Sequence, residues 1–330
     1  MKLVLSQEQQ DLRAAVRAFL AAASPLSQVR ADMESADGYS REVYARLSGE
    51  LGLPGLIVAE EYGGAGAGQA ELAVVLEETG AALLPGPFLA QSLAAIALTT
   101  ADDKELLPAI AEGGLVVTTA SSTDRVPNGM DASVILLDTG DALLAVQGSD
   151  VRREARESLD LTRRQARITL GGAATRVVTD DPATLAVIRD RQAVALAAEQ
   201  LGVIRACLEA IVAYAKVRVA FGRYIGSYQG VKHKLADMHG KLEQGESIVR
   251  YAAWAADESP ADLPEAAALA QAYLGRACFE VARDHLLLHG GIGFTWEHDA
   301  HLYYKRAKAD EVLLGPPRDH RVRLAELLEL

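Results

Sequence analysis

Apolar positions in the first third of the chain recur every three or four residues. Ser6-Gln7-Glu8-Gln9 has the form of a capping box, with Leu12, Val16, Phe19 and Leu20 following at helical spacing. A second helix is expected from Arg41 to Leu51, broken by Gly52, Pro54 and Gly55. Gly63 to Gly68 reads as a loop and Glu71 to Leu83 as another helix. Pro85 and Pro87 end it, because proline lacks the amide donor and clashes with the preceding turn. Two short helices carry the pattern to Glu112. From Leu115 the period changes: residues 115–119, 133–137, 142–146 and 166–170 are apolar and rich in β-branched residues between Gly, Asp and Asn, the pattern of strands. Asp181-Pro182 opens a long helix whose Ala193, Ala197, Leu201, Ile204, Leu208, Ile211 and Ala215 share one face. Val231, Leu235, Met238, Leu242, Val249 and Ala252 mark the next helix. Asp262 and Pro264 open a third, which stops at Gly290-Gly291. Long helices joined by short loops pack as a bundle. The expected fold is mainly α with a small β domain: an N-terminal helical domain over 1–113, a reduced β-barrel-like middle domain over 114–181 and a C-terminal four-helix bundle over 182–330.

Composition narrows the function classes. The chain has 330 residues, half of them apolar, and a net charge of −12, which argues against nucleic acid, since phosphate binding needs clustered Lys and Arg. No apolar run approaches the ~18 residues of a membrane span, and the first six residues lack a signal-peptide core. Cys207 and Cys278 are expected to be reduced core residues in a cytoplasmic protein. Gly64-Ala65-Gly66-Ala67-Gly68 lacks the strand-turn-helix context of a dinucleotide loop and reads as a turn. His285, His289, His298 and His301 gather near one loop without a Cys or carboxylate ligand pattern, so no metal is assigned to them. Glu297 or Asp299 is expected to cap the helix that follows.

The strongest local string runs from Arg218-Val219-Ala220-Phe221-Gly222-Arg223-Tyr224-Ile225-Gly226 through Ser227-Tyr228-Gln229-Gly230 to Leu235-Ala236-Asp237-Met238. It gathers a guanidinium fork, an aromatic ring, glycines and an amide in one helix-helix connector. That set suits a phosphate-bearing ligand. The same residues taken alone also fit a plain turn with a solvated arginine.

This string resembles the Arg-x-x-Phe-Gly, Ile-x-x-x-Gln and Leu-Ala-Asp-Met sequence of the acyl-CoA dehydrogenase family. Two further stretches resemble the family in the same order: Gly52-Leu53-Pro54-Gly55-Leu56 leading to Glu60-Glu61-Tyr62-Gly63-Gly64, and His289-Gly290-Gly291-Ile292-Gly293-Phe294. The resemblance implies FAD held between subunits, with Arg218, Phe221, Gln229, Gly290 and Gly291 on its ADP part and the flavin ring on the neighbouring subunit. One departure is Leu287, where the family often has a Gln three residues before the Gly-Gly pair; an adenosine-side hydrogen bond is lost with it.

The family's catalytic base is a carboxylate against the substrate α-carbon. Its usual place falls on Leu314, beside Gly315, and its alternative place on Gln192; neither can take a proton. Asp310, Glu311 and Glu199 are the nearby acids. The family's Thr-Glu-Pro-x-x-Gly-Ser-Asp loop and Trp-Ile-Thr strand have no counterpart between Leu115 and Asp181, where Ser121-Ser122-Thr123-Asp124 comes nearest. The resemblance is therefore to the base-less short subunit of bacterial heteromeric acyl-CoA dehydrogenases of steroid side-chain β-oxidation. It implies an α2β2 assembly whose second dehydrogenase subunit carries the catalytic Glu and most of the acyl-CoA site. FAD would be shared between the subunits, and an electron-transfer flavoprotein would be the acceptor. The alternatives are a self-sufficient homo-oligomer with a relocated base such as Glu311, and a non-catalytic scaffold subunit.

Overall fold

The computed structural model describes residues 3–330. Helices α1 (Gln7–Ala23), α2 (Leu26–Glu34), α3 (Arg41–Leu51), α4 (Gln69–Ala81), α5 (Phe88–Thr100) and α6 (Leu107–Ala111) come first. Seven short strands follow: β1 (Val117–Ala120), β2 (Val126–Pro127), β3 (Val134–Asp138), β4 (Leu143–Gln147), β5 (Arg152–Arg156), β6 (Gln165–Thr169) and β7 (Thr175–Thr179). Then come α7 (Pro182–Val217), a hairpin of β8 (Val219–Ala220) and β9 (Arg223–Tyr224), α8 (Gln229–Glu258), α9 (Leu263–Leu288), α10 (Ala300–Leu313) and α11 (Pro317–Leu327). Mainly α with a small β region is the expected fold class. The expected capping box is present: Gln9 N–H donates to Ser6 Oγ at 3.2 Å and Ser6 N–H to Gln9 Oε1 at 3.0 Å. Among the described residues, no helix is long and apolar enough to cross a membrane.

The chain folds as two compact units, each assembled from separate stretches. One comprises residues 21–72 and 84–195. Its β region is a four-stranded sheet in the order β1-β3-β4-β7 beside a three-stranded sheet β2-β6-β5. Strand β3, Val134-Ile135-Leu136-Leu137, is buried on both faces. Val134 and Leu136 pack with Ala94, Leu98, Leu107 and Ile110 of the helices, while Ile135 and Leu137 pack with Val126 and Ile168 of the smaller sheet. Successive side chains alternate across a strand, so a strand covered on both sides reads as a continuous apolar run. Strands β2, β5 and β7 were not legible. Arg152-Arg153-Glu154-Ala155-Arg156 carries no apolar alternation, and its place comes from pairing with β6.

The other unit comprises residues 1–20, 73–83 and 196–330, of which residues 1 and 2 lie outside the description. Its centre is the crossing of α4 and α7. A Cβ added at Gly202 would lie 1.9 Å from the Glu77 carbonyl oxygen, and one at Gly80 2.3 Å from that of Glu199, so only glycine allows the two backbones this close. Beside the crossing, the Glu77 carboxylate is sealed from solvent. Arg13 of α1 reaches it at 2.8 Å and Arg205 of α7 at 3.3 Å, and Arg250 of α8 also pairs with it. The next residue, Glu78, takes Arg17 at 2.8 Å. Cys207 and Cys278 are both buried and unbridged, as expected.

A buried carboxylate facing three guanidiniums stabilises them by neutralising charge that water cannot reach; removing one partner of such a set costs about 3–5 kcal/mol. Glu77→Gln is therefore expected to lower unfolding stability by that order, read as a fall in the urea midpoint. An unchanged midpoint would mean that the arginines do not depend on the charge.

Candidate functional site

The connector between α7 and α8 is a two-residue hairpin. Val219 pairs with Tyr224 and Ala220 with Arg223, which leaves Phe221 and Gly222 at the tip. Both are left-handed, at φ 51° and 80°. Positive φ at both loop positions is the geometry that fits the twist of a tight hairpin, and Asn-Gly or Gly-Gly is its usual sequence. Phenylalanine pays a steric cost there and gains no packing, since Phe221 is 98% exposed. The hairpin is fixed from below: the Tyr228 hydroxyl donates to the Ala220 carbonyl at 2.9 Å, and the Arg223 guanidinium lies 3.8 Å from the Tyr228 ring centroid.

A groove of about 620 Å³ opens beside this hairpin. Arg218, Phe221, Gly290 and Gly291, four of the five residues expected on the ADP part, line it together. The fifth, Gln229, is the exposed first residue of α8; its neighbour Tyr228 lines the groove, and Gln229 itself does not. The Arg218 side chain makes no ion pair or hydrogen bond with the described residues. No side chain caps the start of α8, where Tyr228 and Val231 line the groove. An unpaired guanidinium beside an uncapped helix start favours an anion. Gly290 and Gly291 begin the 3₁₀ turn Gly290–Phe294, and a Cβ built on either would meet nothing within 4 Å. Among the described residues, nothing crowds a Cβ at Gly291. The open cradle and free guanidinium fit the pyrophosphate of a dinucleotide.

The sequence reading missed Tyr214, Tyr228 and His289 as groove walls. Tyr214 stands four residues before Arg218 on the same helical face, a signal that was available. The histidines form a stack: His289 lies 4.5 Å from the Tyr214 ring, 4.7 Å from His285 and 4.2 Å from His298. Burial pushes the His285 imidazole down to about 3, with neighbouring imidazoles adding to the shift. Burial likewise lowers His289. The helix after the loop is capped differently from the expectation. Asp299 occupies the N-cap position without a side-chain cap bond, and the Ala300 N–H donates instead to His298 Nδ1 at 3.1 Å.

Neither of the two positions where the resemblance implies a base holds a carboxylate. Leu314 ends α10, half-buried, its carbonyl 3.0 Å from His320 Nε2. Gln192 is buried and donates to the Leu93 carbonyl at 2.9 Å. Of the nearby acids, Glu199 is sealed against Arg306 at 2.7 Å and Asp310 is 1% exposed. Glu311 pairs with Lys308 at 2.5 Å, with Arg276 4.0 Å away. In the β region, Asp124 of the Ser121–Asp124 stretch pairs with Arg156 at 2.7 Å and also with Arg167.

A mainly helical chain with a small β region, this hairpin and this glycine turn has the build of a flavin-dependent acyl-CoA oxidoreductase, and the chain belongs to the acyl-CoA dehydrogenase family. The family's N-terminal domain matches residues 6–114 and its C-terminal domain residues 189–328. The acyl-CoA dehydrogenase IpdE2 of Mycolicibacterium smegmatis is 38% identical over 97% of this chain and 98% of its own length. Among solved structures, a variant of the Tcur3481–Tcur3483 steroid ACAD superposes with a TM-score of 0.90 at 27% identity, covering 98% of each chain. The ChsE4–ChsE5 complex of Mycobacterium tuberculosis gives 0.90 at 26% identity, over 100% of this chain and 99% of that one.

The hairpin tip makes a prediction of its own. Phe221→Asn replaces a residue strained at positive φ by one that tolerates it, and is expected to raise stability by about 1 kcal/mol. A lower urea midpoint for Phe221→Asn would mean that the exposed ring packs on the chain.

Proposed function

We propose that this chain is the ADP-binding, base-less subunit of a heteromeric FAD-dependent acyl-CoA dehydrogenase. The observation that carries the reading is a groove lined by the unpaired Arg218 and the open turn at Gly290 and Gly291, in a chain with Leu314 and Gln192 at the two positions where the resemblance implies a base. When bound, FAD supplies the two-electron acceptor for α,β-dehydrogenation of an acyl-CoA thioester. Arg218 holds the pyrophosphate with two guanidinium N–H groups. Gly290 and Gly291 let the ligand approach the backbone. Phe221, Tyr214 and Tyr228 wall the groove. Gln229, at the head of α8 but outside the groove lining, would meet the ligand only where it extends past the groove. Taking the α-proton falls to a Glu of the second subunit, because leucine and glutamine cannot hold one.

Exposed apolar side chains around the groove support a protein partner there. Phe221, Tyr224, Phe294 and Trp296 are each more than half exposed on or beside the hairpin and the glycine turn. Large exposed apolar groups gathered at one place mark an interaction surface. Two similar solved structures bear paired chain names, ChsE4–ChsE5 and Tcur3481–Tcur3483, which supports a second dehydrogenase subunit and an α2β2 assembly. The second of these is described as a steroid ACAD, which favours a steroid side-chain CoA thioester as substrate. Electron-transfer flavoprotein as acceptor and a cytoplasmic setting belong to the same reading.

The decisive experiment is to purify the chain alone and with the product of an adjacent dehydrogenase gene, and to measure FAD per chain. Flavin is expected only on co-expression, at about one FAD per two chains; a yellow, active homo-oligomer would refute the division of labour. In the complex, Arg218→Ala is expected to lower flavin content at least tenfold in affinity, about 1.4 kcal/mol or more, whereas unchanged content would remove the ADP-side role. Glu311→Gln is expected to leave turnover of the complex unchanged. A collapse of turnover in that variant would favour the self-sufficient enzyme.

A further inference from the structure

One wall of the groove carries a hydrogen-bond acceptor with nothing to accept. His289 follows α9 and lines the groove, with the ring 6% exposed. Its Nδ1 lies 2.8 Å from the His285 carbonyl oxygen. A carbonyl only accepts, so the His289 proton sits on Nδ1, and in the neutral ring Nε2 keeps a bare lone pair. No described residue bonds to that Nε2. The ring cannot easily turn to present the other nitrogen, because Tyr214, His285 and His298 pack around it at centroid distances of 4.5, 4.7 and 4.2 Å. His298 does not supply a compensating donor: its Nδ1 is used by the Ala300 N–H, and its Nε2 makes no hydrogen bond with His289. Two residues earlier, Leu287 lines the groove half exposed and offers no polar group.

We propose that His289 Nε2 accepts a hydrogen bond from an amine or hydroxyl of the adenosine portion of the ligand in this groove, and so sets the groove's preference for adenosine. The assignment rests on the ADP-groove reading above and adds a residue to it. The chemistry is particular: a neutral imidazole locked as an Nδ1–H tautomer selects a donor, and adenosine offers the exocyclic amine of the base and the two ribose hydroxyls. The neutral form is favoured because burial lowers the affinity of the ring for a second proton.

The test uses the full chain and three probes: ADP, inosine 5′-diphosphate, which lacks the amine, and 2′,3′-dideoxyadenosine 5′-diphosphate, which lacks both hydroxyls. Binding is measured calorimetrically for the wild type, His289→Leu and His289→Gln, and folding is checked by circular dichroism. His289→Leu is expected to weaken ADP roughly tenfold, the scale of one hydrogen bond left unmade. His289→Gln, which restores an acceptor oxygen, is expected to recover most of that loss. The analogue lacking the true donor should bind the wild type roughly tenfold more weakly than ADP but bind His289→Leu no worse than ADP does; which analogue behaves so identifies the amine or the hydroxyls. Equal ADP affinity in wild type and His289→Leu, or the same penalty for both analogues in both proteins, would overturn the role of His289 while leaving the ADP groove standing. A wild-type chain and a co-expressed complex that both ignore ADP would instead overturn the groove reading and this assignment with it.

Discussion

Glu77 lies at the point where α1, α4, α7 and α8 meet, sealed from water and faced by Arg13, Arg205 and Arg250. Charges taken out of water cost several kcal/mol each unless opposite charge meets them at close range, so these four side chains must meet or the unit must open. The same crossing requires glycine at 80 and 202, because carbonyl oxygens of the opposite helix stand where a side chain would begin. Steric and electrostatic demands thus act on one short stretch of α4. The consequence is felt well away from it. Helices α7 and α8 are also the two whose connector forms the hairpin, so the cluster and the hairpin sit on the same pair of helices.

On that frame the groove is assembled from segments with little local stability of their own. A hairpin with two residues per strand is marginal in isolation, and its tip carries an aromatic residue in a conformation that favours glycine or asparagine. It persists because Tyr228 bonds its backbone and Arg223 covers the Tyr228 ring. Strain kept at an exposed apolar tip makes sense when the ring meets something beyond this chain. The glycine turn at 290–294 has the complementary character. It is open at Gly290 and Gly291, which suits close approach by a ligand or a partner backbone, while a Cβ at Gly293 would stand 2.5 Å from the Leu286 carbonyl oxygen.

The acids tell the same story from the negative side. Glu199, Asp310 and Glu311 lie near the sequence positions where a base would be sought, yet Glu199 and Glu311 are committed to Arg306 and Lys308, and Asp310 is buried. Glu199 is spent on the buried Arg306 guanidinium and Glu311 on Lys308, so neither is left facing open space as a base would need. Leu314 and Gln192 complete the picture, one half-buried at a helix end and the other spending its amide on a backbone carbonyl.

The sequence by itself determined the helical periodicity, the strand at 133–137, the capping box at Ser6, and the residues Arg218, Phe221, Gly290 and Gly291, which line one groove. These are legible because they depend on spacing and residue type within a few turns of chain. Strands such as Arg152–Arg156 were invisible because their pairing partner, not their own side chains, makes them strands. Only the tertiary structure could decide that Tyr214, Tyr228 and His289 join the groove, that Gln229 stands aside from its lining, and that His298 rather than an acid caps α10. Each of those depends on which helix ends come together, and that is settled by close packing and buried charge between residues more than a hundred positions apart, such as Glu77 and Arg250.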